Sequence, residues 1–99
     1  MKLRLIPQAT QDLHDIRAYL VPHSSSGAEH VRLAIESTID LLALFPGIAR
    51  NTDIEDVRVI LVTSYPYLVY HRLTKKEVVV IHVRHSSRDF PTSSELERQ

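Results

Sequence analysis

From Val78 to Val83 the chain reads Val-Val-Val-Ile-His-Val, apolar at both parities of a strand. Successive side chains on a strand point to opposite faces. A segment apolar at both parities therefore needs cover above and below, and belongs inside a sheet with another layer packed on it. Two more β-rich segments precede it. Val57-Arg58-Val59-Ile60-Leu61-Val62 is largely β-branched, Thr63-Ser64-Tyr65-Pro66 has turn composition, and Tyr67 to Leu73 reads as the next strand. Thr74-Lys75-Lys76 leaves room only for a tight turn. Connections this short join antiparallel neighbours, so the three strands form a meander.

The front half supplies the covering layer. Lys2 to Ile6 alternates polar and apolar residues as a short strand. Pro7 suits a first helical turn, where its missing N–H costs nothing. Ala9, Leu13, Ile16 and Leu20 then form one apolar stripe on a helix over about residues 8–20. Pro22 and Ser24-Ser25-Ser26-Gly27 break it. Ser26 and Glu29 fit a capping box that opens a second helix, running to about Phe45. Its stripe is Val31, Ala34, Ile35, Thr38, Ile39 and Leu42, widened by Leu41 and Leu44, and Pro46-Gly47 ends it. A short polar loop between the helices predicts an antiparallel hairpin.

The expected fold is α+β: an N-terminal strand, an antiparallel two-helix hairpin, then a three-stranded antiparallel meander. Residues 1–90 make one domain and 91–99 a polar C-terminal tail. The hairpin covers one sheet face. The other, expected to include Ile60, Val62, Leu68, Val78 and Val80, is left as an apolar groove for a partner.

Charge narrows the partners. Twelve basic and twelve acidic residues leave no net charge, which argues against a general nucleic-acid coat. The distribution is uneven. Residues 1–56 hold eight acidic residues against five basic, and residues 57–99 hold seven basic against four acidic. Such asymmetry points to a charged partner for one face. There is no Cys, hence no disulfide, thiolate zinc site or Cys nucleophile. Gly-rich phosphate loops and the HExxH and GxSxG motifs are absent. His82 and His85, three apart on a strand, point to opposite faces and make no metal pair. No cofactor and no metal are expected. No run approaches the ~18 apolar residues of a membrane span, and the charged start is no signal peptide, so a cytoplasmic protein is expected.

Arg58, Arg72 and Arg84, with His85 and Arg88, form the constellation with chemical potential. Strand parity puts Arg58 with Ile60 and Val62, Arg72 with Leu68 and Tyr70, and Arg84 with Val78, Val80 and His82. If the registers agree, the three guanidiniums converge on one face, though a one-residue slip flips a strand. Clustered Arg side chains bind carboxylates or phosphates bidentately. With a proton donor they also stabilise a phosphoryl transition state, and His85 is the acid–base candidate, because histidine as a residue type titrates near neutral pH. The alternative is that these residues pair with carboxylates of this chain or of a partner.

The order of motifs carries a resemblance. The helix ends Asp12-Leu13-His14-Asp15-Ile16-Arg17-Ala18-Tyr19-Leu20, and Val57-Arg58 opens a strand. Then come Tyr65-Pro66-Tyr67-Leu68-Val69-Tyr70-His71-Arg72 and Val78-Val79-Val80-Ile81-His82-Val83-Arg84-His85-Ser86-Ser87-Arg88-Asp89. Over about residues 3–90 this resembles the RelE/ParE superfamily of type II toxin–antitoxin toxins. The resemblance implies a small α+β toxin held inactive, in a hetero-oligomer, by a cognate antitoxin that wraps it with a helix and an extended segment. It also implies a role such as plasmid stabilisation.

RelE-like members are ribosome-dependent endoribonucleases that cut messenger RNA; ParE-like members bind DNA gyrase. Fold does not decide between them. The neutral charge, Phe90 where nucleases often carry a proton-transferring Tyr, and the "V.H..RD" ending of Val83 to Asp89 resemble the ParE branch. On that reading no catalytic residue is expected, and Arg58, Arg72, Arg84, His85, Arg88 and Phe90 contact gyrase or antitoxin. On the nuclease reading the partners are ribosome and messenger RNA, and Arg58, Arg72, Arg84 and His85 are catalytic. An inactive antitoxin-binding module is the third reading.

Overall fold

The computed structural model describes residues 1–87. In chain order it contains β1 (Lys2–Leu5), α1 (Pro7–Leu20), α2 (Ser25–Leu44), a 3-10 turn (Pro46–Ile48), β2 (Arg50–Asn51), β3 (Val57–Leu61), β4 (Tyr67–Leu73) and β5 (Glu77–His85). The fold is α+β, with the strand, helical hairpin and meander in the expected order. Among the described residues no helix is long and apolar enough to cross a membrane. The expected tail, 91–99, with Arg88 and Phe90, lies outside the described residues.

One five-stranded sheet runs β1-β5-β4-β3-β2. The meander is antiparallel throughout, and β1 joins its end in parallel to β5, with Lys2 opposite Glu77 and Leu5 opposite Val80. Position thus accounts for the composition of the Val-rich strand. β5 has a neighbour on each side through residue 80, and Val78 to Val83 are all buried.

Both helices pack on one face. Ala9 of α1 and Val31, Ile35, Ile39 and Leu42 of α2 meet Val62, Tyr67, Val69, Val78, Val80 and Val83. At about 25 cal/mol per Å² of apolar surface, this cluster is the main stabilising term of the fold. The second face carries Val57, Val59, Leu68, Tyr70, Val79 and Ile81, with Ile6 and Ile54 at its margin. Its residues are nearly all apolar, as the two-parity pattern of β5 requires.

Four expectations change. The N-cap of α2 is Ser24, not Ser26: the Ser24 hydroxyl accepts from the Gly27 N–H at 2.9 Å. Glu29 does not reach back to close a box, because Arg32, one turn along, holds its carboxylate. Leu41 and Leu44 do not widen the stripe of α2; they are exposed, on the side turned from the sheet. Ile60, Val62, Val78 and Val80 do not line an uncovered groove, since the helices settle on their face; of that set only Leu68 lies on the second face.

A fifth change concerns parity itself. Along β5, Tyr70 is opposite His82 while the next residue, His71, is opposite Val80. Ile81 is therefore an extra residue, a β-bulge. Beyond it the faces exchange. Val83 joins the helix-side core, Arg84 stands opposite Leu68, and His85 stands opposite Tyr67.

Candidate functional site

The register sorts the predicted residues. Arg58 is opposite His71, on the helix side of the sheet. Arg72 is opposite Val57 and Val79, and Arg84 is opposite Leu68, both on the second face. The three guanidiniums do not converge: the pairing of β3 with β4 sets Arg58 apart from the other two. Arg84 also parts from Val78 and Val80, because the bulge exchanges the faces between them. On the second face, Arg50 of β2 stands across Val59 from Tyr70. Sequence reading passed over Arg50, since a two-residue strand gives no periodicity.

The Tyr70 hydroxyl in the middle of this face is buried and makes no hydrogen bond. Burial raises its pKa, because the phenolate would lose its hydration; the charges of Arg84 and Arg50 oppose that rise. The strand register sets both side chains on the phenol's side of the sheet. The second face thus holds a buried apolar cluster, with Arg50, Arg72 and Arg84 on the same side of the sheet.

At the far end of β5, a groove of about 450 Å³ opens between this strand and α1. Asp12, Asp15 and Tyr19 of α1 form one wall, and Tyr67, Arg84, His85 and Ser87 the other. The His85 ring stands edge-on to Tyr67, centroids 5.3 Å apart. Its Nδ1 accepts from the Ser87 backbone N–H at 3.1 Å and lies 2.6 Å from the Ser87 hydroxyl. A backbone N–H only donates, so Nδ1 is the acceptor and the neutral ring carries its proton on Nε2. His85 is thereby fixed in both orientation and tautomer.

Behind the groove lies a contact that sequence reading missed. Asp12 Oδ2 accepts from His82 Nδ1 at 2.9 Å and from the Val83 backbone N–H at 3.0 Å; Oδ1 accepts from Gln8 at 2.9 Å. Burial alone would raise the Asp12 carboxyl. The hydrogen bonds from His82, Val83 and Gln8 outweigh it and hold the carboxyl below its ordinary value, as a carboxylate. The i, i+4 spacing of Gln8 and Asp12 is a signal for their mutual bond, but nothing local announces a partner seventy residues away. Among the described residues no group of three His, Asp or Glu side chains is placed to hold a metal ion.

Against this geometry, the comparisons with known proteins are consistent. Residues 3–90 match the family model described as the ParE toxin of the type II toxin–antitoxin system parDE. A Sinorhizobium fredii protein named "Putative toxin Y4kP" is 26% identical over 90 residues, spanning 91% of this chain and 93% of that protein. A solved structure described as the chromosomal ParDE toxin–antitoxin system from P. aeruginosa superposes with a TM-score of 0.75 at 22% identity. That match covers 86% of this chain and 95% of the other. The isolated E. coli RelE toxin superposes with a TM-score of 0.63 at 17% identity, covering 98% and 96%. Likeness at these identities speaks for the fold, while the family model spans nearly the whole described chain. The chain belongs to the ParE toxin family of type II toxin–antitoxin systems.

Proposed function

We propose that this protein is a ParE-like toxin that inhibits DNA gyrase in the cytoplasm by binding it, and that a cognate antitoxin neutralises it in a hetero-oligomer. The observation that carries the reading is the division of the arginines. A phosphoryl-transfer site needs its cations around one set of oxygens. Here Arg58 stands on the helix side and Arg72 and Arg84 on the other. What remains on the second face, guanidiniums beside a buried apolar cluster, suits an acidic protein surface better than a reacting phosphate. Arg84 and Arg72 are the contacts we assign to the target. His85 and the groove beside it border the same edge.

A ribosome-dependent nuclease is the second reading. It is favoured by His85, whose Nε2–H is fixed by Ser87 at the rim of a groove shared with Arg84 and Tyr67.

The deciding experiment uses purified toxin freed of antitoxin, assayed for inhibition of plasmid supercoiling by gyrase and for messenger cleavage on programmed ribosomes. Blocked supercoiling with intact messenger is the expected result. Cleaved messenger with normal supercoiling overturns the proposal and makes His85 with Arg84 the active site.

A further inference from the structure

Strict alternation along β5 would carry Arg84 to the helix side. Val78 and Val80 face the helices, and counting by twos from them reaches His82 and Arg84. The bulge at Ile81 is what sends Arg84 to the second face instead, where its charge acts on the Tyr70 phenol. The orientation of a proposed target contact thus depends on one inserted residue.

A bulge leaves part of the ladder unpaired, and it persists only where something else satisfies the backbone. On its outer edge β5 loses its neighbour at this point. The pairing with β1 ends at Leu5 opposite Val80, with one further bond from Ile6 N–H to the Val80 carbonyl. The next outward donor is the Val83 N–H. No strand receives it; the Asp12 carboxylate does, at 3.0 Å, and the same oxygen holds the His82 ring at 2.9 Å. Asp12 therefore grips both residues that follow the extra one. Gln8, one turn back on α1, steadies the other carboxylate oxygen.

We infer that Asp12 is a positioning residue: by binding His82 and the Val83 N–H it holds the β-bulge that turns Arg84 onto the second face of the sheet. Asp12 acts through Arg84, and the functional part of the inference rests on the gyrase-binding reading given above.

The experiment has two arms, both on the full chain freed of antitoxin. The first is residue-resolved amide hydrogen exchange of Asp12→Asn, a variant of nearly equal volume, and of Asp12→Ala. Faster exchange at Val83 with Val79 unchanged is expected. Unchanged exchange at Val83, or equal acceleration at both amides, overturns the inference, since the bulge then stands without Asp12 or Asp12 serves stability alone.

The second arm is a double-mutant cycle on gyrase inhibition with Asp12→Asn and Arg84→Ala. Asp12→Asn is expected to weaken inhibition in the parent. In the Arg84→Ala background its further effect should be smaller by ~3-fold or more, the signature of one residue acting through another. An equal loss in both backgrounds overturns the inference. Should Arg84→Ala alone leave inhibition intact, the target role of Arg84 fails, and the exchange arm still decides whether Asp12 holds the bulge.

Discussion

Arg58 and Arg72 lie one step apart on paired strands yet project from opposite sides of the sheet, because Arg72 is opposite Val57 and Arg58 is opposite His71. Neighbouring positions on a ladder are separated here by the sheet itself. This gives a direct test of which side meets the target. Arg72→Ala with Arg84→Ala is expected to weaken gyrase inhibition at least tenfold, since guanidinium contacts at an interface are often worth ~1–2 kcal/mol or more each. Arg58→Ala should leave inhibition within about twofold. Titration of supercoiling against toxin concentration checks both, and an Arg58→Ala defect matching the double variant would place the contact on the helix side.

His71 makes stability fall in mild acid. The ring is buried and neither nitrogen makes a hydrogen bond of acceptable geometry. Burial pushes its pKa below the ordinary 6.5, the nearby Arg58 charge adds to that, and the Val69 backbone opposes it. Above pH ~6.5 the ring is neutral in both folded and unfolded chains and contributes no slope. Below it the unfolded chain takes a proton that the folded chain refuses. Stability then declines by at most ~1.4 kcal/mol per pH unit until the depressed folded pKa is passed. Denaturant midpoints at pH 7.5 and 5.5 should therefore separate more for the parent than for His71→Leu. Equal separation would remove His71 from the account. The Asp12 carboxylate, also depressed, contributes stability that is present above pH ~3.8 and lost as pH falls through its folded pKa, so it acts in a lower window.

Tyr70→Phe should not destabilise the fold. The hydroxyl it removes is buried without a partner, and deleting such a group costs nothing and relieves up to ~1 kcal/mol or more of desolvation. A melting temperature equal to or above the parent's is the expected outcome of a thermal scan. A clear drop would mean that the hydroxyl has an unseen bond.

Among three consecutive serines, only Ser24 caps α2. Ser24→Ala is expected to lose ~1 kcal/mol, and Ser26→Ala no more than a few tenths. Chemical denaturation of the two variants ranks them; the reverse order would restore the capping box at Ser26.

The long-period features of this fold are legible in the amino-acid sequence. A 3.6-residue stripe over Ala9, Leu13 and Ile16, and a strand apolar at both parities, define layers whatever else the chain does. The choice among Ser24, Ser25 and Ser26 is not legible, because their side chains are the same and only the approach of the backbone selects one. The site is legible in composition but not in geometry. Arg58, Arg72 and Arg84 stand out by residue type; their faces depend on the register of β3 against β4 and on the bulge at Ile81. Both are set by contacts far away in sequence, the second by Asp12. Parity is reliable until something outside the strand interrupts it.

The pairing of β1 with β5 joins residues 2–5 to residues 77–80. The helical hairpin is a local structure that can form from neighbouring segments, but β1 has no strand to lie against until Val80 exists. The grip of Asp12 waits likewise for His82 and Val83. Pairing across so long a stretch of chain makes the docking of β1 on β5 a slow step compared with the local pairings of β3, β4 and β5. A chain still being made therefore carries β1 without its partner strand until residues 77–80 have been synthesised.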